Sequence, residues 1–211
     1  IDGREVFLGP REAIEIQDAL KSDIAMCLDE CPPAEATESE IGKAVDRSTN
    51  WARSCLNAWS ETNAMEDGRK LFGIVQGGRF SDLRRRSAEE LQEIGFPGYA
   101  IGGVSVGESE EQMLEQVSST VQFLPEALPR YVMGVGTPTQ LLKMVGYGID
   151  MFDCVLPSRA ARHGTAYTST GRINIRNEKF RLDLNPLDKE TDCFASQNFV
   201  INTKAYTIVP L

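Results

Sequence analysis

Short runs that are continuously apolar or glycine-rich alternate along this chain with longer stretches of amphipathic helical periodicity. No hairpin signal separates them until after residue 157. The runs cover residues 23–28, 71–75, 99–106, 131–135 and 151–156. Their lack of polar alternation is what parallel strands buried on both faces require. Each intervening stretch opens on a helix-start signal. Pro10 stands at a first-turn position ahead of Ala13, Ile16 and Leu20. Thr37 and Glu40 form a capping-box pattern ahead of Ile41, Ala44, Val45, Ala52, Cys55 and Leu56. Ser81 precedes Leu83, Ala88, Leu91 and Ile94, and Ser109 with Gln112 precedes Met113, Leu114, Val117 and Val121. Thr137, Pro138 and Gln140 combine an N-cap, a first-turn proline and a capping box ahead of Leu141, Leu142 and Val145. Repeated β-α units of this kind predict an α/β fold around a parallel sheet.

Two architectures satisfy that pattern, a doubly wound open sheet and a (β/α)8 barrel. The strand ends discriminate. Almost every apolar run closes on a polar or glycine motif: Asp29-Glu30-Cys31, Gln76-Gly77-Gly78, Gly102-Gly103, Gly134-Val135-Gly136, and Asp153 with Ser158-Arg159. A barrel gathers functional groups from the C-terminal ends of many strands, whereas an open sheet concentrates them at one switch point. The expectation is therefore a partial TIM-type barrel over residues 1–164. A barrel needs eight strands, so three further β-α units are expected upstream of residue 1, in a longer parent chain. After Pro157 the pattern becomes a hairpin, 165–167 and 172–175 around Ser169-Thr170-Gly171, which opens a second region expected at 165–211.

Composition narrows the function classes. A chain of 211 residues with 41% hydrophobic and 25% charged residues is that of a globular protein, and no run approaches the length of a membrane span. A cytoplasmic protein without a membrane partner is expected. The 5 cysteines have no paired spacing, so Cys27, Cys55 and Cys154 read as small core residues rather than a disulfide framework. The net charge of -9 argues against indiscriminate nucleic-acid binding. Between Pro157 and Arg181, however, Arg159, Arg162, Arg172, Arg176, Lys179 and Arg181 face a single acid, Glu178. That asymmetry is either a solvated hairpin surface or a site for a phosphate-bearing partner.

Several residues carry chemistry at these strand ends. Asp153 falls inside the apolar run Met151-Phe152-Asp153-Cys154-Val155-Leu156, where an unpartnered carboxylate would be costly to bury. It is expected either to be held by hydrogen bonds for structure or to act as a nucleophile. Asp29 is either a loop cap or an acceptor for the N–H edge of a heterocycle. Gln76 offers both a donor and an acceptor. Gly102-Gly103 permits close backbone approach to a flat ligand, though such a pair equally suits phosphate or flavin. Met133 reads as a core methionine or as an apolar wall under a ring. Together these groups describe a pocket for a planar polar base beside a carboxylate able to form a covalent glycosyl intermediate, with no metal or redox cofactor required.

These motifs also occur in one order across residues 1–188, and there the chain resembles tRNA-guanine transglycosylases of bacterial type. The matching blocks include Asp29-Glu30-Cys31-Pro32, Phe72-Gly73-Ile74-Val75-Gln76-Gly77, the stretch 98–108, Tyr131-Val132-Met133-Gly134-Val135-Gly136, and 150–159. The resemblance implies an irregular (β/α)8 barrel that exchanges guanine at the wobble position of certain tRNAs for a 7-deazaguanine, in queuosine biosynthesis. It implies Asp153 as the nucleophile on ribose C1′. It implies Asp29, Gln76, Gly102 and Gly103 as base-reading groups, with Val104 lending backbone and Met133 packing on the ring. Cys31 and Val106 resemble the subtype that uses preQ1 rather than queuine. Gly134, Val135, Gly136, Thr137, Pro138, Thr139 and Gln140 match one tRNA-contacting stretch, and Ser158, Arg159, Ala160, Ala161 and Arg162 match the second. The implied partners are tRNA, the exchanged base, and a second copy in a homodimer of the full-length enzyme. The family's second catalytic aspartate and the ring that stacks on the base belong to an early strand, upstream of this chain. The family also carries a zinc site after the barrel. The aligned positions here are Thr191, Cys193 and Ser196, so that site is expected not to form. Two other classes stand beside this reading, a non-catalytic RNA-binding subunit and a flavin- or phosphate-binding barrel oxidoreductase.

Overall fold

The computed structural model describes Glu5, residues 7–183 and residues 185–192. Five parallel strands, β1 (Ile24–Met26), β2 (Lys70–Val75), β3 (Tyr99–Ile101), β4 (Arg130–Val132) and β5 (Met151–Phe152), form one sheet in the order β1-β2-β3-β4-β5. All four neighbouring pairs are parallel. A doubly wound sheet reverses its strand order at a switch point. This order never reverses, which is the arrangement of consecutive units in a (β/α)8 barrel. The expected partial barrel is what the chain forms.

The connecting helices are α1 (Pro10–Ala19), α2 (Glu38–Ser60), α3 (Ser81–Ile94), α4 (Glu110–Val121) and α5 (Pro138–Gly146). Capping boxes open α2, α4 and α5 at Thr37, Ser109 and Thr137, and Pro10 begins α1. The start of α3 differs. Phe80 is its N-cap, Ser81 is already helical, and no side chain caps it. The core forms where helix stripes meet the sheet. Ile41, Ala44, Val45, Ala52, Cys55 and Trp59 recur at helical spacing along α2 and are all buried. Leu71, Phe72, Ile74 and Val75 are buried consecutively in β2, as strands covered on both faces must be. Each such large apolar side chain contributes about 1.5–3 kcal/mol on leaving water.

The strands end earlier than their apolar runs. Val104, Ser105 and Val106 lie in a loop beyond β3, where Ser105 adopts φ 62°. The run expected at 151–156 is a strand for only Met151 and Phe152. Leu156 and Pro157 instead begin α6 (Leu156–Arg162), because a proline's fixed φ suits a helix's first turn. Two compact units divide at Cys154 and Val155. The sequence pattern set this boundary ten residues later, at 164. In the structure α6 packs with the hairpin of β6 (Thr165–Thr168) and β7 (Gly171–Asn174), and Arg176 Nη2 donates to the Arg162 carbonyl at 2.7 Å.

Candidate active site

The C-terminal edge of the sheet collects the chemistry. Gln76 directly follows β2, Gly102 follows β3, Met133 and Gly134 follow β4, and Asp153 follows β5. Asp29 lies three residues beyond β1 on a loop that α2 holds in place. There Glu30 N donates to Ser48 Oγ at 2.9 Å, and Arg47 pairs with the Glu30 carboxylate at 2.6 Å. Gln76 is fixed by its backbone N–H, which donates to Ser87 Oγ of α3 at 3.1 Å.

Asp29, Gln76, Gly102 and Gly103 come together. Gln76 Nε2 donates to Asp29 Oδ2 at 2.6 Å. A Cβ on Gly102 would lie 2.7 Å from Gln76 Nε2, and one on Gly103 would lie 2.6 Å from Gln76 Oε1. Gly103 also has φ 64°, so both space and backbone conformation call for glycine here. Burial pushes the Asp29 carboxyl up, against the Gln76 hydrogen bond that lowers it. Cys31 is exposed as a residue, yet burial of its sulfur and then the Asp29 charge push its thiol up, while a hydrogen bond from the Gly103 backbone works the other way. A thiol held neutral in this way is a poor nucleophile. Val104 is buried in the core, and Met133 is half-buried.

Asp153 is not buried. It is exposed just past β5, which corrects the expectation of a carboxylate inside an apolar strand. Tyr131 Oη donates to its Oδ1 at 3.0 Å, and Gly134 N donates to the same oxygen at 3.3 Å. Among the described residues both bonds fall on Oδ1, which leaves Oδ2 directed by its partner oxygen and open to a ligand. Burial, and then the Asp153 hydrogen bond and charge, push the Tyr131 hydroxyl up to about 12, so it remains a donor at neutral pH. The loops after β3 and β4 touch, since a Cβ on Gly134 would meet Ser105 Cβ at 3.3 Å.

Two residues of this edge escaped the sequence reading. In the sequence Tyr131 is marked only as part of a strand. Arg84 belongs to no strand-end motif, but its spacing to Ala88 and Leu91 places it on the core-facing stripe of α3, and a cation there is itself a signal.

Of the stretches expected to contact tRNA, Gly134 and residues 138–139 are exposed, Val135 is buried, and Gly136, Thr137 and Gln140 are half-buried. In the second compact unit Ser158, Arg159, Ala161 and Arg162 are exposed on α6, with Ala160 half-buried. Of the three aligned zinc positions, Thr191 presents a hydroxyl in place of a thiolate, while Cys193 and Ser196 lie outside the described residues. One thiol and two hydroxyls do not make a structural zinc donor set.

The family profile described as queuine tRNA-ribosyltransferase matches residues 1–207. The chain belongs to the queuine tRNA-ribosyltransferase family. Among its relatives, a queuine tRNA-ribosyltransferase of Halothermothrix orenii is 50% identical over 206 residues, covering 98% of this chain and 53% of the relative. Those of Bacillus subtilis and Staphylococcus aureus are 48% and 49% identical, with 52% and 51% of their own lengths covered. The chain thus spans about half the length of the queuine tRNA-ribosyltransferases it matches. Within that half it holds the edge formed by Asp29, Gln76, Gly103, Tyr131 and Asp153.

Proposed function

We propose that this chain carries the base-reading pocket and the nucleophile of a tRNA base exchange. The observation that carries the reading is the strand-end edge itself. A donor–acceptor set of Asp29, Gln76 and Gly103 shares it with an exposed carboxylate whose hydrogen bonds among the described residues all fall on Oδ1. Asp153 Oδ2 attacks ribose C1′ of the wobble nucleotide, and the C1′–N9 bond breaks with its electron pair leaving on guanine. The result is a covalent ribosyl ester. An incoming 7-deazaguanine then attacks C1′ through its own ring nitrogen, the C1′–Oδ2 ester bond breaks to release the carboxylate, and the ring N–H proton the new base gives up balances the proton the departing guanine takes up on N9. Tyr131 and the Gly134 N–H hold Oδ1 throughout, which orients the attacking oxygen without a metal. Cys31, beside Gly103, fits a small preQ1-like base. Exposed Arg159 and Arg162 fit contact with the tRNA backbone. The Thr191, Cys193 and Ser196 set does not support a zinc site, and no step is routed through one.

Denaturing gels test the reading. The intact protein that contains this chain is incubated with substrate tRNA and a competing base. A covalent protein–RNA band is expected, and Asp153→Asn is expected to abolish it. An adduct that persists in Asp153→Asn would reject the nucleophile.

A further inference from the structure

Arg84 is 1% exposed, and its hydrogen bonds among the described residues all go to neutral oxygens. Nε donates to the Gly78 carbonyl at 2.6 Å, Nη1 to the Gly102 carbonyl at 3.1 Å, and Nη2 to the Gly103 carbonyl at 3.2 Å and to Gln116 Oε1 at 3.1 Å. The site is shaped around this side chain, since a Cβ on Gly77 would sit 2.5 Å from Arg84 Cγ. For packing alone this is a poor choice, because a buried cation loses hydration that an apolar side chain of similar volume never had. Burial pulls the guanidinium down to about 10, which still leaves it charged at neutral pH, and Glu108 supports the charge electrostatically.

The gain lies in what the carbonyls determine. Across a trans peptide, the C=O and the N–H of the next residue point in opposite directions. Arg84 draws the Gly102 carbonyl toward itself and so turns the Gly103 N–H away. By holding the Gly103 carbonyl it does the same to the Val104 N–H. The Gly103 backbone also acts on the Cys31 thiol by hydrogen bonding, which puts its N–H toward the loop that carries Asp29 and Cys31. A charged donor on each carbonyl also polarises both peptides and makes those N–H groups stronger donors. We propose that Arg84 is a positioning residue for base recognition. From behind the loop it aims the Gly103 and Val104 N–H groups at the exocyclic oxygen of a 6-oxopurine-type base, and so sets selectivity for that oxygen. This role rests on the base-exchange reading.

The test uses the intact protein containing this chain and measures exchange of guanine into tRNA, with 2-aminopurine, which lacks the 6-oxo group, as competitor. Arg84→Lys keeps a buried cation but cannot hold the separated carbonyls together. It is expected to raise KM for guanine by about tenfold, the worth of roughly one hydrogen bond, with KM for tRNA nearly unchanged. The preference for guanine over 2-aminopurine should shrink by a similar factor. A purely structural role would weaken both bases alike, so an unchanged preference in folded Arg84→Lys overturns the proposal. If Arg84→Lys does not fold, Gln116→Leu removes one acceptor and leaves the cation. A smaller loss of preference is then expected, and no loss overturns the proposal. Failure of the wild-type protein to exchange or bind guanine would instead defeat the base-exchange reading, and that outcome shows in the wild-type arm alone.

Discussion

At the scale of single residues, the two aspartates of the edge have opposite environments. Asp153 is exposed and held on one oxygen by Tyr131 and Gly134, as the proposed nucleophile requires. Asp29 is partly enclosed, and the hydrogen bonds from Gln76 and from its own backbone do not offset the loss of water. Its carboxyl is therefore raised above the ordinary value of 3.8. A carboxyl raised in the fold contributes stability that is fully present below its unfolded pKa and is lost as pH rises through its folded pKa. Asp29→Asn cannot ionise and escapes that loss. The variant is expected to gain stability relative to wild type as pH rises from 3.8, with the gap levelling off above the folded pKa. Urea titrations at about pH 4 and about pH 8 measure it, and a gap of equal size at both would contradict the burial argument. The same substitution should weaken the base by about tenfold, because an N–H donor of the ligand loses a charged acceptor. Stability and function then move in opposite directions at one residue.

At the scale of elements, legibility in the sequence followed how local the determinant was. The capping boxes at Thr37, Ser109 and Thr137 need only residues three apart, and all three form as their spacing predicts. Strand ends were less legible. Apolar character continues through Val104 and Leu156, but what halts each strand is the ladder running out and a proline starting a helix, which apolar runs do not record. The edge residues Asp29, Gln76 and Gly103 were readable as strand-end polar groups. Arg84 was not, because its partners are carbonyls, and these leave no side-chain signature. The short helix α5 shows what a local determinant is worth. It has nine residues and buries only Met144, so packing supports it little. Its start is held by Gln140 N donating to Thr137 Oγ1 at 3.3 Å and by Lys143 and Gln140 reaching Glu110 of α4. Thr137→Ala is expected to cost about 1 kcal/mol, felt as faster amide exchange across Pro138–Gly146 rather than as a large global loss. Thr37→Ala removes the same kind of cap from the 23-residue, well-buried α2, so exchange beyond its first turn should barely change. Equal local opening in the two helices would show that packing does not buffer the loss of a cap.

At the scale of the whole molecule, the sheet poses the problem that a closed barrel exists to solve. Among the described residues β1 pairs only with β2, and β5 only with β4, so each presents an unpaired edge. Parallel strands are ordinarily covered on both faces, and open edges invite pairing with other chains. Apolar side chains lie exposed on elements beside those edges. Phe7 is 81% exposed ahead of α1 and Leu20 72% exposed at its end, while Leu142 and Val145 are 76% and 57% exposed on α5. The curated relatives are about twice as long as the segment this chain matches. A purified chain of residues 1–211 is therefore expected to self-associate and to show no base exchange, with Asp153 and the Asp29–Gln76 pair intact. Co-expression with the portion of a relative that this chain does not match should recover a monodisperse complex with measurable exchange, provided the edges of β1 and β5 are what that portion covers. Light scattering and guanine incorporation read the two halves of the prediction separately. A monomeric chain that turns over alone would mean that five strands suffice to hold the site. Loss of self-association without recovered exchange would mean that the covering portion closes the sheet but supplies no group the chemistry needs.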